Sequence, residues 1–323
     1  MIASLAAEGY DTVRAPFGRA LVDLARKDPR IVGLTADLGK YTDLHILAQE
    51  MPDRFYQMGM AEQLLMSAAA GMAREGFIPF ATTYAVFAAR RAYDFIAMAI
   101  AEQNLPVKIV CALPGLTSGY GPSHQATDDL AIFRALPGMT IVDPCDACDV
   151  AGMVPEITRH PGPVYARLLR GEVPSVLTRH MPDYRFRLGK AQLIREGADA
   201  LMISCGIMTM RALDAAVLLE REGIGLAVLH VPTIKPLDTE TILSEVRRRA
   251  RKVIVGENHS VIGGLGEAVA GVLLRAGIAP AFHQIALPDA FLDAGALPTL
   301  HDRYGISAER VAAQIRMWIQ TGG

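Results

Sequence analysis

Two short segments carry residues able to do chemistry. In Phe55-Tyr56-Gln57-Met58-Gly59-Met60-Ala61-Glu62-Gln63 a single carboxylate, Glu62, stands where an apolar run gives way to a helical pattern. In Gly119-Tyr120-Gly121-Pro122-Ser123-His124-Gln125 a histidine sits on a loop of glycines and proline. Met58, Met60, Leu64, Leu65 and Met66 flank Glu62, while Gly59 and Ala61 permit close approach. A carboxyl group so poorly solvated holds its proton more tightly. It is then suited to sharing that proton with a ring nitrogen, as catalytic carboxylic acids do. The plainer alternative is an acid in the first turn of a helix, favoured there by the helix dipole. His124 follows a predicted parallel strand, at the sheet edge where α/β enzymes bind ligands; a structural histidine is equally open.

A third stretch, Thr82-Thr83-Tyr84-Ala85-Val86-Phe87-Ala88-Ala89-Arg90-Arg91-Ala92, puts two aromatics three residues apart at a helix start. That spacing serves core packing, or it builds a face against which a flat heteroaromatic ring stacks. What the chain lacks is a metal and diphosphate cradle: no Gly-Asp dipeptide exists to begin one. Cys145 and Cys148 have redox or metal spacing but no second ligand pair, and read as ordinary helix cysteines. Gly263-Gly264-Leu265-Gly266 has the look of a dinucleotide turn. The loop before it is too long, and no acidic residue closes a following strand, which argues against that use.

The elements that must position these residues alternate along the chain. Helical patterns cover Arg14 to Lys27, Ala61 to Arg74, Phe87 to Glu102, Asp128 to Ala135 and Ala147 to Arg159. Apolar strand runs cover Ile31 to Leu34, Phe55 to Met58, Ile78 to Thr82, Val107 to Ala112, Thr140 to Val142 and Val164 to Leu168. Such alternation predicts an α/β fold with a doubly wound, mostly parallel sheet. The pattern breaks between Gly171 and Gly189, which reads as a linker. The expected division is a first domain over 1–172, a linker over 173–189 and a smaller α/β domain over 190–323. The second domain's strands are Ala200 to Ser204, Ala227 to His230 and Lys252 to Gly256. Its helices are near Thr209 to Glu222, Thr239 to Arg249, Gly266 to Arg275 and Ala308 to Gln320.

Bulk properties narrow the function classes. The 323 residues suffice for two ordinary domains. A net charge of −2 gives no electrostatic reason to expect nucleic acid or an anionic membrane as partner. Four cysteines are too few and too scattered for a disulfide scaffold. With no signal-peptide pattern and no run near ~18 apolar residues, the expected location is cytoplasmic.

The motifs also carry a family resemblance. Gln57-Met-Gly-Met-Ala-Glu62-Gln63, the aromatic-rich Thr83-to-Ala92 segment, Gly121-Pro-Ser-His124-Gln125 and Leu136-Pro-Gly-Met-Thr-Ile-Val-Asp-Pro144 resemble the pyrimidine-binding domain of transketolases. Val255-Gly-Glu-Asn-His-Ser-Val-Ile-Gly-Gly-Leu-Gly266 resembles that family's C-terminal domain. The family's N-terminal domain, with its Gly-Asp-Gly…Asn motif, is missing. The chain therefore resembles the second subunit of a split transketolase.

That resemblance implies a thiamine diphosphate site shared between two chains, with Mg2+ and diphosphate held mainly by an N-terminal subunit. A dimer of heterodimers is implied, moving a two-carbon ketol unit from a ketose, such as a sugar phosphate, to an aldose. It also implies roles for residues: Glu62 on the pyrimidine nitrogen, Tyr84 and Phe87 around the ring, and Asp37 near the cofactor. His124, Arg167 and, more weakly, Arg14 would contact substrate hydroxyls or phosphate. Two features depart from the family. Ser118-Gly119-Tyr120-Gly121 stands where many members carry Gly-Glu-Asp-Gly, and Ala112 or Leu113 stands near a family histidine. The usual pentose phosphates are thereby in question, and a different ketose is open. Rival readings are the β-subunit of a 2-oxo acid dehydrogenase, a deoxyxylulose phosphate synthase-like enzyme, and a non-catalytic scaffold subunit.

Overall fold

The computed structural model describes residues 9–248 and 252–321. The strands of the first half are β1 (Thr12–Arg14), β2 (Ile31–Thr35), β3 (Phe55–Gln57), β4 (Ile78–Tyr84), β5 (Lys108–Ala112), β6 (Thr140–Val142), β7 (Val164–Leu168) and β8 (Glu172–Pro174). The second half adds β9 (Gln192–Arg195), β10 (Ala200–Ser204), β11 (Leu226–His230), β12 (Thr233–Lys235), β13 (Lys252–Ser260) and β14 (Phe282–Leu287). Every residue of β2, β4, β5, β6 and β7 is buried. A sheet covered by helices on both faces demands this and explains why the strands are continuous apolar runs.

The large sheet has the order β12-β6-β7-β5-β4-β2-β3, parallel throughout except for β12. The smaller sheet has the order β14-β13-β10-β11-β9, with β9 antiparallel to β11. The two-sheet α/β architecture is the one expected. One strand crosses between the halves. β12 belongs in sequence to the second half yet completes the first sheet, pairing Thr233 with Val142.

The segment read as a linker is firmly packed. β8 pairs with β1, Tyr184 and Phe186 are buried, and the Tyr184 hydroxyl donates to Asp149 Oδ1 at 2.5 Å. The single helix expected over Phe87 to Glu102 is instead the helix Ala85–Arg91, a break at Ala92, a short turn Tyr93–Phe95 and a widened turn Ile96–Ala101. The break leaves Arg90 and Arg91 in the last turn of the first piece, where positive charge suits the helix C-terminus. The helix Thr239–Arg248 agrees with its expected span as far as the described residues go; residue 249 lies outside them.

Candidate active site

The C-terminal ends of β2, β3, β4, β5 and β7 open on one edge of the large sheet, the edge where parallel α/β sheets bind ligands. Past β3 the chain turns at Gly59, whose φ of +72° favours a residue without Cβ, and the helix Glu62–Arg74 begins. Leu65, Met66, Ala69, Ala70 and Ala73 bury one stripe of that helix. Glu62 is thereby fixed at the helix start with only 5% exposure. Its Oε1 accepts from Arg91 Nη1 at 3.3 Å. Arg91 in turn lies with its guanidinium carbon 4.0 Å from the centroid of the Phe87 ring.

Asp37, past β2, is tied to this turn through Gln57. Gln57 Nε2 donates to Asp37 Oδ1 at 3.0 Å, and Gln57 Oε1 accepts from the backbone of Asp37 and of Gly59.

The second wall is aromatic. His124 lies with its ring centroid 5.4 Å from Phe87, 5.5 Å from Tyr120 and 5.9 Å from Tyr84. Tyr84 is buried behind the wall, so Phe87 offers the more open face. Burial, helped by the charge of Arg91, lowers the His124 pKa, which keeps the imidazole neutral at pH 7. Its Nδ1 is bonded to Ser123 Oγ at 2.9 Å. The fold brings Glu62 to the guanidinium of Arg91, whose charge also reaches His124.

The loop over residues 113–125 is held from the second half of the chain. Leu116 N donates to Asn258 Oδ1 at 2.9 Å, and Leu116 O lies 2.8 Å from His301 Nε2. Gln125 Nε2 reaches Asp293 O at 3.0 Å, and Gly295 N donates to Gly119 O at 3.0 Å. A Cβ on Gly119 would collide with the Gly295 carbonyl, so the two backbones approach as only glycine allows. Arg90 clamps the other side through a bidentate pair with Asp128, at 2.9 and 3.0 Å.

The two arginines after the loop differ sharply. Arg167, on β7, is 1% exposed and bonded to Asp129, Asp143 and the Asn258 carbonyl. Burial pushes the Asp129 carboxyl upward, but the charge and hydrogen bonds of Arg167 outweigh it and hold that carboxyl below its ordinary value. Asp143 is raised by burial, only partly offset by Arg167. Arg167 is therefore not available as the phosphate ligand expected from the resemblance, because its fork of donors is spent inside the core.

Arg170, three residues on, was overlooked. Its guanidinium carbon is 5.5 Å from the Tyr41 ring centroid, and its Nε and Nη2 are buried without a hydrogen-bond partner. Its charge is felt by the Tyr84 hydroxyl, whose pKa burial has raised. Arg14 is exposed on β1, opposite Glu172, and Ala15 N donates to Gly171 O, so Arg14 and Arg170 lie on adjoining stretches of chain.

The Gly263–Gly266 turn is already filled. Glu257 accepts from Leu265 N at 2.6 Å and Gly266 N at 2.8 Å, so a carboxylate of the chain itself occupies the helix start that a phosphate would need. All four cysteines are free.

Comparison with known proteins fits this geometry. Residues 11–175 match the transketolase pyrimidine-binding domain, and residues 189–311 match the transketolase C-terminal domain. The chain belongs to the transketolase family. A transketolase family protein of Sinorhizobium fredii is 65% identical over 99% of this chain and 92% of its own length. A 6-deoxy-6-sulfo-D-fructose transketolase subunit of a Clostridium species is 39% identical over 90% of this chain and 89% of its own. Among solved structures, a split-gene transketolase described as an inactive β4 tetramer superposes with a TM-score of 0.83 at 41% identity, covering 94% of this chain and 97% of that one.

Within a transketolase, the pyrimidine half is the part this chain carries. The edge beside Glu62 is open and apolar: Met60 is 82% exposed, and Leu64, Phe95 and Met98 are exposed on the same helix and the turns packed against it. An apolar surface bordering a buried carboxylate is a surface suited to a protein partner. Among the described residues no helix is long and apolar enough to cross a membrane.

Proposed function

We propose that the chain is the pyrimidine-binding subunit of a split transketolase, working with a separate N-terminal subunit that supplies the Mg2+ and diphosphate site. The observation that carries this reading is the nearly buried Glu62 carboxylate, joined through the Arg91 guanidinium to the face of the Phe87 ring and bordered by an exposed apolar rim. That pairing fits an aminopyrimidine: one carboxylate for a ring nitrogen and one aromatic face for the ring. Glu62 and Phe87 would hold thiamine diphosphate on this side, with Tyr84 behind them. Bound there, the cofactor supplies the electron sink that cleavage of a ketose C–C bond requires.

The chain's own residues then divide the work. Glu62 is placed at the helix start to hydrogen-bond the ring nitrogen. His124, neutral and with Nδ1 taken by Ser123, presents its other nitrogen to a substrate hydroxyl. Arg170, half-buried just past the end of β7, would bind a terminal anion on the sugar, and Arg14 adds charge from the adjoining strand. Tyr120, beside His124, takes the place of acidic residues that read hydroxyls in other members. This favours a donor other than a plain pentose phosphate, and a ketose ending in a phosphate or sulfonate suits a guanidinium near Tyr41 and Tyr84.

The test is co-purification of the tagged chain from its host, assay of bound thiamine diphosphate, and a donor screen with ketose phosphates, ketose sulfonates and pyruvate. Ketose cleavage with ketol transfer to an aldose supports the reading. Decarboxylation of pyruvate without ketose cleavage would replace it with a 2-oxo acid or deoxyxylulose phosphate synthase-like activity. An assembled complex lacking cofactor and turnover would favour a scaffold.

A further inference from the structure

Arg91 stands between the two groups that the cofactor reading assigns to the pyrimidine. Its Nη1 lies 3.3 Å from Glu62 Oε1, and its guanidinium carbon lies 4.0 Å from the Phe87 centroid. A guanidinium is flat, delocalised and rich in N–H donors. It therefore offers Glu62 a hydrogen bond and Phe87 a stacked plane, the same two contacts an aminopyrimidine would offer. Its charge also reaches His124. The side chain is 56% exposed, whereas Glu62 beneath it is 6% exposed. It is the last residue of the helix Ala85–Arg91, so it can swing into solvent without disturbing the core. Its neighbour Arg90 has no such freedom, being held by both oxygens of Asp128.

We propose that Arg91 is a displaceable gate over Glu62, competing with the aminopyrimidine for one carboxylate and one aromatic face and withdrawing when the cofactor seats. The proposal rests on the cofactor reading above but assigns Arg91 a part of its own. A gate holds Glu62 satisfied and the aromatic face covered until the cofactor arrives, and it taxes cofactor binding by the strength of its own contacts. Those contacts are one partly exposed ion pair and one cation–π contact, which together correspond to roughly a three- to tenfold change in affinity.

The experiment compares wild type, Arg91→Met and Arg91→Lys in the complex with the partner chain. It measures the dissociation constant and association rate of thiamine diphosphate with Mg2+ by equilibrium dialysis and stopped-flow circular dichroism. The expected result is about three- to tenfold tighter and faster binding in Arg91→Met, with Arg91→Lys between the two. Weaker binding in Arg91→Met would make Arg91 a clasp that positions Glu62, and unchanged binding would make it a bystander; either overturns the gate. A 15N spectrum of the arginine side chains in the chain alone supplies an independent check. Glu62→Leu should collapse the distinct Arg91 guanidinium Nη–H signals toward the solvent-exposed set, and unmoved signals would overturn the gate. If the wild-type complex takes up no cofactor, the functional reading fails, and this spectrum still decides whether Glu62 holds Arg91.

Discussion

Arg167 and Arg170 sit three residues apart on one stretch of chain, yet the molecule treats them in opposite ways. Around Arg167 every charge is answered. Its guanidinium meets Asp129, Asp143 and a carbonyl, and Tyr165 donates to Asp129 at 2.6 Å. Around Arg170 two buried nitrogens find no partner. A buried polar group left unpaired costs stability, so a fold keeps one only where something else is gained. The saturated cluster ties the halves of the chain together through Asn258. The unsaturated one faces Tyr41 and Tyr84 at the ligand edge of the sheet. We read the saturated cluster as structural and Arg170 as the candidate anion ligand of the site.

The sharpest way to break that contrast is to exchange the consequences. Arg167→Met should leave two buried carboxylates without their counter-charge and cost about 3–5 kcal/mol of stability, a large share of a typical total. Urea midpoints would read this, while the KM of whatever enzyme survives should stay near wild type. A variant of normal stability and raised KM would reverse the assignment. Next in size is Glu62→Ala. It should assemble normally yet lose at least ~100-fold in turnover, the scale of a positioned acid–base group. Near wild-type turnover in the assembled variant would sink the mechanism.

How much of this was legible beforehand follows the same contrast. The strands Ile31–Thr35, Ile78–Tyr84 and Val164–Leu168 are buried end to end, so their apolar runs announce them. Gln192–Arg195 and Phe282–Leu287 lie on sheet edges with partly exposed faces, and mixed composition hid both. Thr233–Lys235 is three residues long and joins a sheet whose other strands precede it by some 65 residues or more; only tertiary structure reveals that. The positions of Glu62 at a helix start and of Phe87 and His124 in one aromatic wall follow from local motif, because each stands at a strand-to-helix turn or on a loop past a strand. Arg167 was misread as a ligand. The available signal was its place inside an apolar run, whereas Arg170 stands past the run's end beside Gly171. Arg91 carried no sequence signal at all, since its meaning depends on Glu62, distant by 29 residues.

Arg170→Gln supplies the converse of the Arg167 test. Losing a charged donor to an anionic substrate should raise KM about 10- to 100-fold, as expected for a hydrogen bond to a charged group. Stability should move by about 1 kcal/mol or less, because only the contact with the Tyr41 ring and the charge interaction with Asp43 are lost. A neutral-tailed ketose should feel the substitution least, so the ratio between anionic and neutral donors is the number to measure. An equal loss for both donors would show that Arg170 does not read the anion.

A last expected effect, spread over several pH units, concerns a buried charge at the opposite edge of the sheet. Lys108 begins β5, is fully buried, and donates to the carbonyls of His160 at 2.7 Å and Gly162 at 2.9 Å. Burial brings its pKa down from the ordinary 10.5 to about 7. The two carbonyls, which accept from the charged ammonium, work against that shift. Between those two pKa values the unfolded chain binds more protons than the folded one. Stability should therefore rise with pH from about 7 toward 10.5, by at most ~1.4 kcal/mol per unit from this group. Comparing urea midpoints of wild type and Lys108→Met from pH 7 to pH 9 isolates the term, since other titrations cancel in the difference. The wild-type curve should climb relative to the variant. A flat difference would mean that the two carbonyls keep the ammonium charged throughout, and Lys108 would then join Arg167 among the satisfied interior charges.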